Sequence, residues 1–343
     1  MTRGYRIAAL PGEGIGLEVI AATITILQSV AAIHNFQLQV DYGVIGTPAF
    51  KQYGAYFPEV TANSCSQADG ILFGAVSSGL LELRKRFDFF INLRPVRVFP
   101  SLINKSSLKS DRLTGVDILF VRELVGGIYF GASGRGDEGG SYGYHTMQYY
   151  DGQIERIAKV ALEKARSRKG LLTVAHKENA LPNIPWTKLV EKVASTYQDI
   201  TVEPMLVDNL AMQLVINPQR FDVILAGNMF GDILSDLGGA LVGSIGLLGS
   251  ASLNEAGFGL YEPVHGTAPD IAGKNQANPL GTLFSAMMML EQWGELEAVA
   301  SLQRAWNKIL TQGYRTRDLY SEDTEILVTT QELVELFTQN LRR

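Results

Sequence analysis

Three apolar segments constrain this chain most: Arg6-Ile7-Ala8-Ala9-Leu10, Ala68-Asp69-Gly70-Ile71-Leu72-Phe73-Gly74-Ala75-Val76 and Phe221-Asp222-Val223-Ile224-Leu225. Each is too short for a helix of ordinary length, and none shows the alternation of a strand with one wet face. Near-continuous apolar runs of this length belong to strands of a sheet covered on both sides. Helical segments alternate with them to the end of the chain, which predicts an α/β fold. At 343 residues, 46% of them hydrophobic, there is material for one large domain or two.

The stretch after the third strand carries the chemistry. In Asn228-Met229-Phe230-Gly231-Asp232-Ile233-Leu234-Ser235-Asp236 two acids stand four residues apart among good helix formers. On a helix they share one face and repel unless a positive group lies between them. A solvated helix face or an N-terminal dipole partner is the plain alternative. The apolar surroundings and the glycines argue against it and favour a few oxygen ligands for Mg²⁺ or Mn²⁺, with water and substrate completing the shell. A third acid, Asp208, stands upstream in Leu206-Val207-Asp208-Asn209.

Arginines recur among apolar residues on three separate segments: Arg84 after Gly79-Leu80-Leu81, Arg94 in Asn92-Leu93-Arg94-Pro95, and Arg122 in Arg122-Glu123-Leu124-Val125-Gly126-Gly127-Ile128-Tyr129-Phe130-Gly131. Each alone reads as a surface arginine. Together they suit a dicarboxylate, because a guanidinium is planar and permanently charged and grips carboxylates through paired hydrogen bonds.

Further on come Tyr149 before the helix start Asp151-Gly152-Gln153-Ile154, then Val174-Ala175-His176-Lys177-Glu178-Asn179-Ala180, then Glu262-Pro263-Val264-His265-Gly266-Thr267-Ala268-Pro269-Asp270-Ile271 with Asn278 beyond. With these motifs in this order, from about Arg6 to about Arg317, the chain resembles the metal-dependent β-decarboxylating dehydrogenases of 2-hydroxy acids, and within them the 3-isopropylmalate branch. The resemblance implies two domains that share one large twisted mixed sheet, an isocitrate/isopropylmalate dehydrogenase-like fold and not a Rossmann fold. One domain would comprise residues 1–92 and 245–343, and the other residues 93–244. The glycine turn Pro11-Gly12-Glu13-Gly14-Ile15-Gly16 has the wrong spacing for the dinucleotide fingerprint and reads as backbone geometry near the cofactor.

The same resemblance implies the site. Arg84, Arg94 and Arg122 would bind the two carboxylates of a malate core, with Asn179 beside them. Asp232 and Asp236, joined by Asp208, would hold the metal, which chelates the 2-oxygen and stabilises the enolate as CO₂ leaves. Lys177 would relay the 2-hydroxyl proton, and Tyr149 would protonate the enol carbon. Glu262, His265, Gly266, Thr267, Ala268, Pro269, Asp270, Ile271 and Asn278 would bind NAD. The carboxylate of Asp270 would take the ribose hydroxyls and repel a 2′-phosphate. Lys177 and Asp208 would come from the neighbouring subunit, making the working unit a homodimer.

The chain also departs from the pattern. Between Val76 and Ser78 a whole loop of the ordinary isopropylmalate enzyme is missing, Ser77 stands where that enzyme has glutamate, and Ala180 where it has valine. These changes remove bulk beside Leu80 and Leu81, where the 3-substituent would lie. A bulkier substrate such as 3-benzylmalate therefore stands beside 3-isopropylmalate. Isocitrate or homoisocitrate as substrate and a non-catalytic regulatory subunit are further alternatives, although such a subunit would be expected to have lost the lysine, tyrosine or acids.

Composition removes other classes. A net charge of −5 gives no reason to expect nucleic acid or an anionic membrane surface. The single cysteine, Cys65, excludes an internal disulfide and fits a reducing compartment. No signal-peptide pattern opens the chain and no segment is expected to span a membrane, so the expectation is cytoplasmic.

Overall fold

The computed structural model describes residues 3–136, 140–321 and 324–342. It divides into two compact units, Met1–Phe87 with Gly243–Arg343, and Asp88–Val242. The divisions fall at 87/88 and 242/243, against 92/93 and 244/245 in the sequence reading. The difference arises because strand Ile91–Arg97 pairs along its whole length with Asp117–Glu123 and so belongs entirely to the second unit.

In the first unit the strands lie in the order Phe36–Tyr42, Arg3–Gly12, Gly70–Ala75, Gly259–Pro263 and Gly249–Leu253. The first three pairings are parallel and the last is antiparallel. Gly70–Ala75 is buried at every residue, as its continuous apolar sequence requires. Helix Gly16–His34 follows the first strand and packs on the sheet and on helix Thr330–Leu341. At 19 residues this helix is long and apolar enough to cross a membrane by composition. Its apolar residues Val19, Ile20, Leu27 and Val30 are instead buried within the unit, which makes it a core helix.

The turn between that first strand and its helix explains two of its glycines. Gly12 and Gly14 have φ of +74° and +58°, a region glycine enters without steric cost. A Cβ on Gly14 would lie 2.0 Å from the carbonyl oxygen of Thr267. Ile15 donates its N–H to that same oxygen at 2.9 Å, so the turn is fastened to the loop 265–271.

In the second unit the order is Ile91–Arg97, Asp117–Glu123, Val223–Ala226, Leu171–His176 and Thr201–Leu206. Here the first pairing is antiparallel and the other three are parallel. Helix Asn228–Val242 lies over Ile91–Arg97 and Asp117–Glu123. It approaches closely because small residues face the sheet: a Cβ on Gly231 would meet Arg122 Cβ at 2.8 Å, and one on Gly238 would meet Val96 Cγ2 at 2.4 Å.

This close approach is testable. Gly238→Ala should destabilise the protein by about 1–3 kcal/mol through overpacking, read as a lower denaturant midpoint. Adding Val96→Ala should recover part of the loss; a midpoint unmoved by Gly238→Ala would show that the helix has room to shift.

Candidate active site

Strand register assembles the charged centre of the second unit. Asn92 pairs with Arg122 across the antiparallel strands, and Arg94 lies two residues beyond Asn92. Side chains two apart share a face, so Arg94 and Arg122 project from the same side of the sheet, the side that helix Asn228–Val242 covers. Asp232 and Asp236 sit one turn apart on that helix. Arg94 Nη1 donates to Asp236 Oδ1 at 2.9 Å and to Ser235 Oγ at 2.8 Å, and lies 3.3 Å from Asp232 Oδ1. Arg122 Nη1 pairs directly with Asp232, whose other oxygen accepts from Tyr129 at 3.2 Å.

Both guanidinium groups are buried and both acids are partly open, Asp236 with half its side chain exposed. Partial burial and the neighbouring Asp232 charge push the Asp236 carboxyl up, against the pull of Arg94. A divalent cation beside the acids would relieve that repulsion. Arg94 Nε is buried and has no hydrogen-bond partner. In the first unit Arg84 shows the same feature: Nη2 is held by Glu262 Oε1 at 2.7 Å while Nε is buried and unpaired. Leaving such a donor unsatisfied costs about 1–3 kcal/mol, and an anionic ligand would remove that cost.

Tyr149 lies close to this cluster through Asn228. The Asn228 N–H donates to Tyr149 Oη at 2.7 Å, and the ring packs edge-on against Trp186 at 5.2 Å. Gly126 and Gly127 lie against the ring, where any Cβ would come within 2.8 Å and 2.4 Å of the tyrosine. Burial, then the nearby Glu123 charge, push the phenol well above its ordinary value; the Asn228 N–H and Arg122 pull it the other way.

Lys177 Nζ pairs with Asp208 Oδ1 at 2.7 Å. That hydrogen bond, before any other cause, holds the Asp208 carboxyl below its usual range. Asp208 therefore stands with the lysine. Among the described residues no group of three or more His, Cys, Asp or Glu side chains is placed to hold a metal within one chain. The two acids Asp232 and Asp236 fit a cation whose remaining ligands come from substrate, water and another donor. Asn179 and Ala180 are exposed, on a turn closed by hydrogen bonds to the Lys177 carbonyl.

In the first unit a cavity of about 250 Å³ is lined by Ile15, Ser244, Ile245, Gly246, His265, Ala268, Ile271, Gln276, Asn278, Arg317 and Asp318. It brings together four residues expected from the sequence: His265, Ala268, Ile271 and Asn278. His265 Nε2 is buried without a partner, and burial lowers the imidazole's pKa, which favours the neutral ring. Asn278 Nδ2 donates to Asp318 Oδ2 at 3.0 Å. This size, apolar at Ile15 and Ile271 and polar at its end, suits a planar base. Gly266, Thr267, Pro269 and Asp270 run along the adjoining loop, with Asp270 exposed. Glu262 is not among the lining residues and is paired with Arg84 instead. A larger groove of about 800 Å³ between helices Gly16–His34 and Thr330–Leu341 contains none of the expected site residues.

Ser77 is committed to the glycine turn, its Oγ donating to Glu13 Oε2 at 3.0 Å, while Glu13 Oε1 accepts the Thr47 N–H at 2.6 Å. Burial opposes ionisation of Glu13, but these hydrogen bonds outweigh it and its pKa is lowered. Leu80 is partly buried and Leu81 is 45% exposed. Sequence reasoning missed Tyr129, Asn228, Ser235, Ser244 and Asp318. Tyr129, Asn228 and Ser235 lie inside motifs already singled out, so a stricter reading of those motifs had a signal for them; Ser244 and Asp318 had none.

The isocitrate/isopropylmalate dehydrogenase family model matches residues 6–337. The chain is 46% identical over 333 residues to the 3-isopropylmalate dehydrogenase of Bacillus licheniformis, covering 92% of this chain and 90% of that protein. It is 45% identical over 341 residues to the Neisseria meningitidis enzyme of the same name, covering 94% and 95%. Among solved structures, isocitrate dehydrogenase from Methylococcus capsulatus superposes with a TM-score of 0.90 at 28% identity, covering 99% of this chain and 100% of that one.

One buried acid yields a prediction about stability. Glu123 is fully buried, and burial pushes its carboxyl from the ordinary 4.5 to about 7, against hydrogen bonds from the Val125 and Gly126 N–H groups and the charge of Arg156. Its contribution to stability is complete below about pH 4.5 and is lost as the pH rises through about 7. Relative to Glu123→Gln, the unmodified protein should therefore lose roughly 2–3 kcal/mol of unfolding free energy between pH 5 and pH 8. Parallel urea titrations check this, and a difference that stays constant with pH would contradict it.

Proposed function

The chain belongs to the isocitrate/isopropylmalate dehydrogenase family, and from that premise we propose that it oxidatively decarboxylates a 3-substituted malate, with 3-isopropylmalate the first candidate. The products are the 2-oxo acid, CO₂ and NADH. The observation that carries this reading is the pair of buried arginines, Arg94 and Arg122, on one sheet face against Asp232 and Asp236, which sets two permanent positive charges beside two partly open acids.

In this reading Arg94 and Arg122, with Arg84, bind the malate carboxylates, and Asn179 supports them. Lys177 of the partner subunit takes the proton from the 2-hydroxyl, and Tyr149 delivers one to the enol carbon after CO₂ has left. NAD supplies the hydride acceptor, and Mg²⁺ or Mn²⁺ held by Asp232 and Asp236, with Asp208 of the partner subunit, supplies positive charge at the 2-oxygen. His265, Ala268, Ile271 and Asn278 hold the adenine, with Gly266, Thr267 and Pro269 carrying the loop past it. Asp270 accepts from the ribose hydroxyls and disfavours a 2′-phosphate. Glu262 acts through Arg84, which it orients. The working unit is a homodimer in the cytoplasm, and the exposed tyrosines Tyr142 and Tyr144 offer surface for such an assembly to cover.

A second reading keeps the reaction and enlarges the substituent. Ser77 is turned onto Glu13, Leu81 is 45% exposed and Ala180 is exposed. Apolar side chains left open in this way favour a larger 3-substituent such as benzyl, because each methylene-sized group in a pocket is worth about 1–3 kcal/mol of discrimination.

A panel of 3-substituted malates, followed by NADH formation with Mg²⁺ and again with EDTA, tests the proposal. Turnover should require the metal and peak at isopropyl or at a bulkier group. Full activity in chelator would remove the metal from the mechanism, and silence with every malate would remove the reaction. For the cofactor, Asp270→Lys with Ile271→Tyr should move the kcat/KM preference from NAD towards NADP by about 10-fold or more. An unmodified enzyme that already prefers NADP would refute the role of Asp270.

A further inference from the structure

We propose that Asn228 is the residue that positions Tyr149 as proton donor, its N–H occupying the phenol oxygen while its side chain fixes where that N–H points. The inference rests on the decarboxylating reading above and adds the residue through which the acid is held.

Asn228 is 1% exposed. Its Oδ1 accepts from Arg122 Nε at 3.0 Å and from Nη2 at 2.7 Å. Its Nδ2 donates to the carbonyls of Leu124 and Gly126, both at 3.0 Å. The amide thus makes four hydrogen bonds, the whole capacity of an asparagine side chain. Its orientation is fixed by its partners: a flipped amide would set NH₂ against a guanidinium and oxygen against two carbonyls. Aspartate could serve Arg122 but would turn a carboxylate oxygen onto the carbonyls of Leu124 and Gly126.

The same turn is held from its other side. Glu123 accepts from Val125 N–H at 3.2 Å and Gly126 N–H at 2.8 Å. Gly126 and Gly127 form the floor on which the Tyr149 ring lies. The side chain of Asn228 therefore locks this floor to Arg122, and its backbone N–H meets the phenol oxygen at 2.7 Å.

A phenol has one proton to give and lone pairs to fill. The Asn228 N–H fills one lone pair, and among the described residues no acceptor takes the proton. The O–H is left for the substrate. When it protonates the enol carbon, the electron pair of the enol C=C forms the new C–H bond, the enol O–H pair closes the C=O as Lys177 of the partner subunit takes that proton, and the Tyr149 O–H pair stays on the phenol oxygen. The resulting phenolate faces an N–H at the start of helix Asn228–Val242 and the charge of Arg122, both of which stabilise it. Solvent then returns the proton.

The test uses the full-length protein with NAD, Mg²⁺ and 3-isopropylmalate in D₂O. Asn228→Ala, Asn228→Ser and the near-isosteric Asn228→Asp are compared with Tyr149→Phe, after circular dichroism has shown which of them fold. Three readouts are taken: NADH formed in a single turnover, steady-state kcat, and the face of carbon 3 that carries deuterium once the product is trapped by reduction. The expected result is a single-turnover NADH yield like that of the unmodified enzyme, kcat lowered roughly 10-fold or more, and deuterium on both faces, as in Tyr149→Phe. Adding Asn228→Ser to Tyr149→Phe should lower kcat by less than about twofold, because both act on one step.

Variants that raise KM alone and keep deuterium on one face would overturn the proposal, leaving Asn228 as a support for Arg122. Equal and independent losses in the double variant would overturn it as well. An unmodified enzyme that makes no NADH from any 3-substituted malate would instead refute the decarboxylating reading, and the role of Asn228 would fall with it.

Discussion

The second unit depends on charge compensation at one place: two arginines projected by adjacent strands against two acids on the helix above them. Neither half is stable alone. Asp232 and Asp236 repel one another across one helical turn, and two guanidinium groups buried among apolar strands carry a large desolvation penalty. Register supplies the alignment. Because Asn92 lies opposite Arg122, Arg94 falls on the same face, and a slip of one residue would turn one arginine away from the helix. The glycines of the helix then matter electrostatically: Gly231 lets the backbone settle against the Arg122 stem, which brings Asp232 within reach of both cations.

Much of this arrangement is legible in the sequence, for a physical reason. A four-residue spacing of acids and an arginine embedded in an apolar strand are local patterns, and helix and strand periodicity convert them directly into faces. The apolar segments at 6–10, 68–76 and 221–225 likewise gave their strands, trimmed to Arg3–Gly12, Gly70–Ala75 and Val223–Ala226. Less legible were contacts whose partners are far apart in the chain. The Arg84–Glu262 pair spans 178 positions, and the contact of Asn278 with Asp318 spans 40. Glu262 reads as part of a loop motif, yet its side chain is buried against an arginine from another segment. Helix Gly16–His34 shows where composition alone stops: its sequence carries the composition of a span, and packing makes it a core element.

Asn228 lies between these cases. It opens the stretch that draws the eye first, but the motif that contains it signals the two acids and says nothing of what an uncharged amide there would hold. Its importance comes from being wholly buried at the point where strand ends, glycine turn and helix start converge. A buried amide must satisfy four hydrogen-bonding sites, and this one does so with Arg122 on one side and two carbonyls on the other. Such a residue cannot move without leaving charged or polar groups unpaired, so it transmits position from the arginine to the tyrosine.

In the proposed reading, reaction class and substrate choice rest on different kinds of residue. The groups assigned to the malate core are charged, mostly buried and held in place by strand register and ion pairs, where one lost partner costs several kcal/mol. The residues proposed for the 3-substituent, Leu80, Leu81 and Ala180, are apolar and partly or wholly open, and a methylene-sized change in a pocket shifts discrimination by only about 1–3 kcal/mol. Substitution at those positions is cheap for the fold, because it breaks no ion pair and exposes no buried donor. Substitution at Arg94, Arg122 or Asn228 is not. The shortened loop after Val76 and the small residues at Ser77 and Ala180 lie on the permissive side of that division. A chain built this way can change the side chain it accepts while the machinery that oxidises and decarboxylates stays fixed.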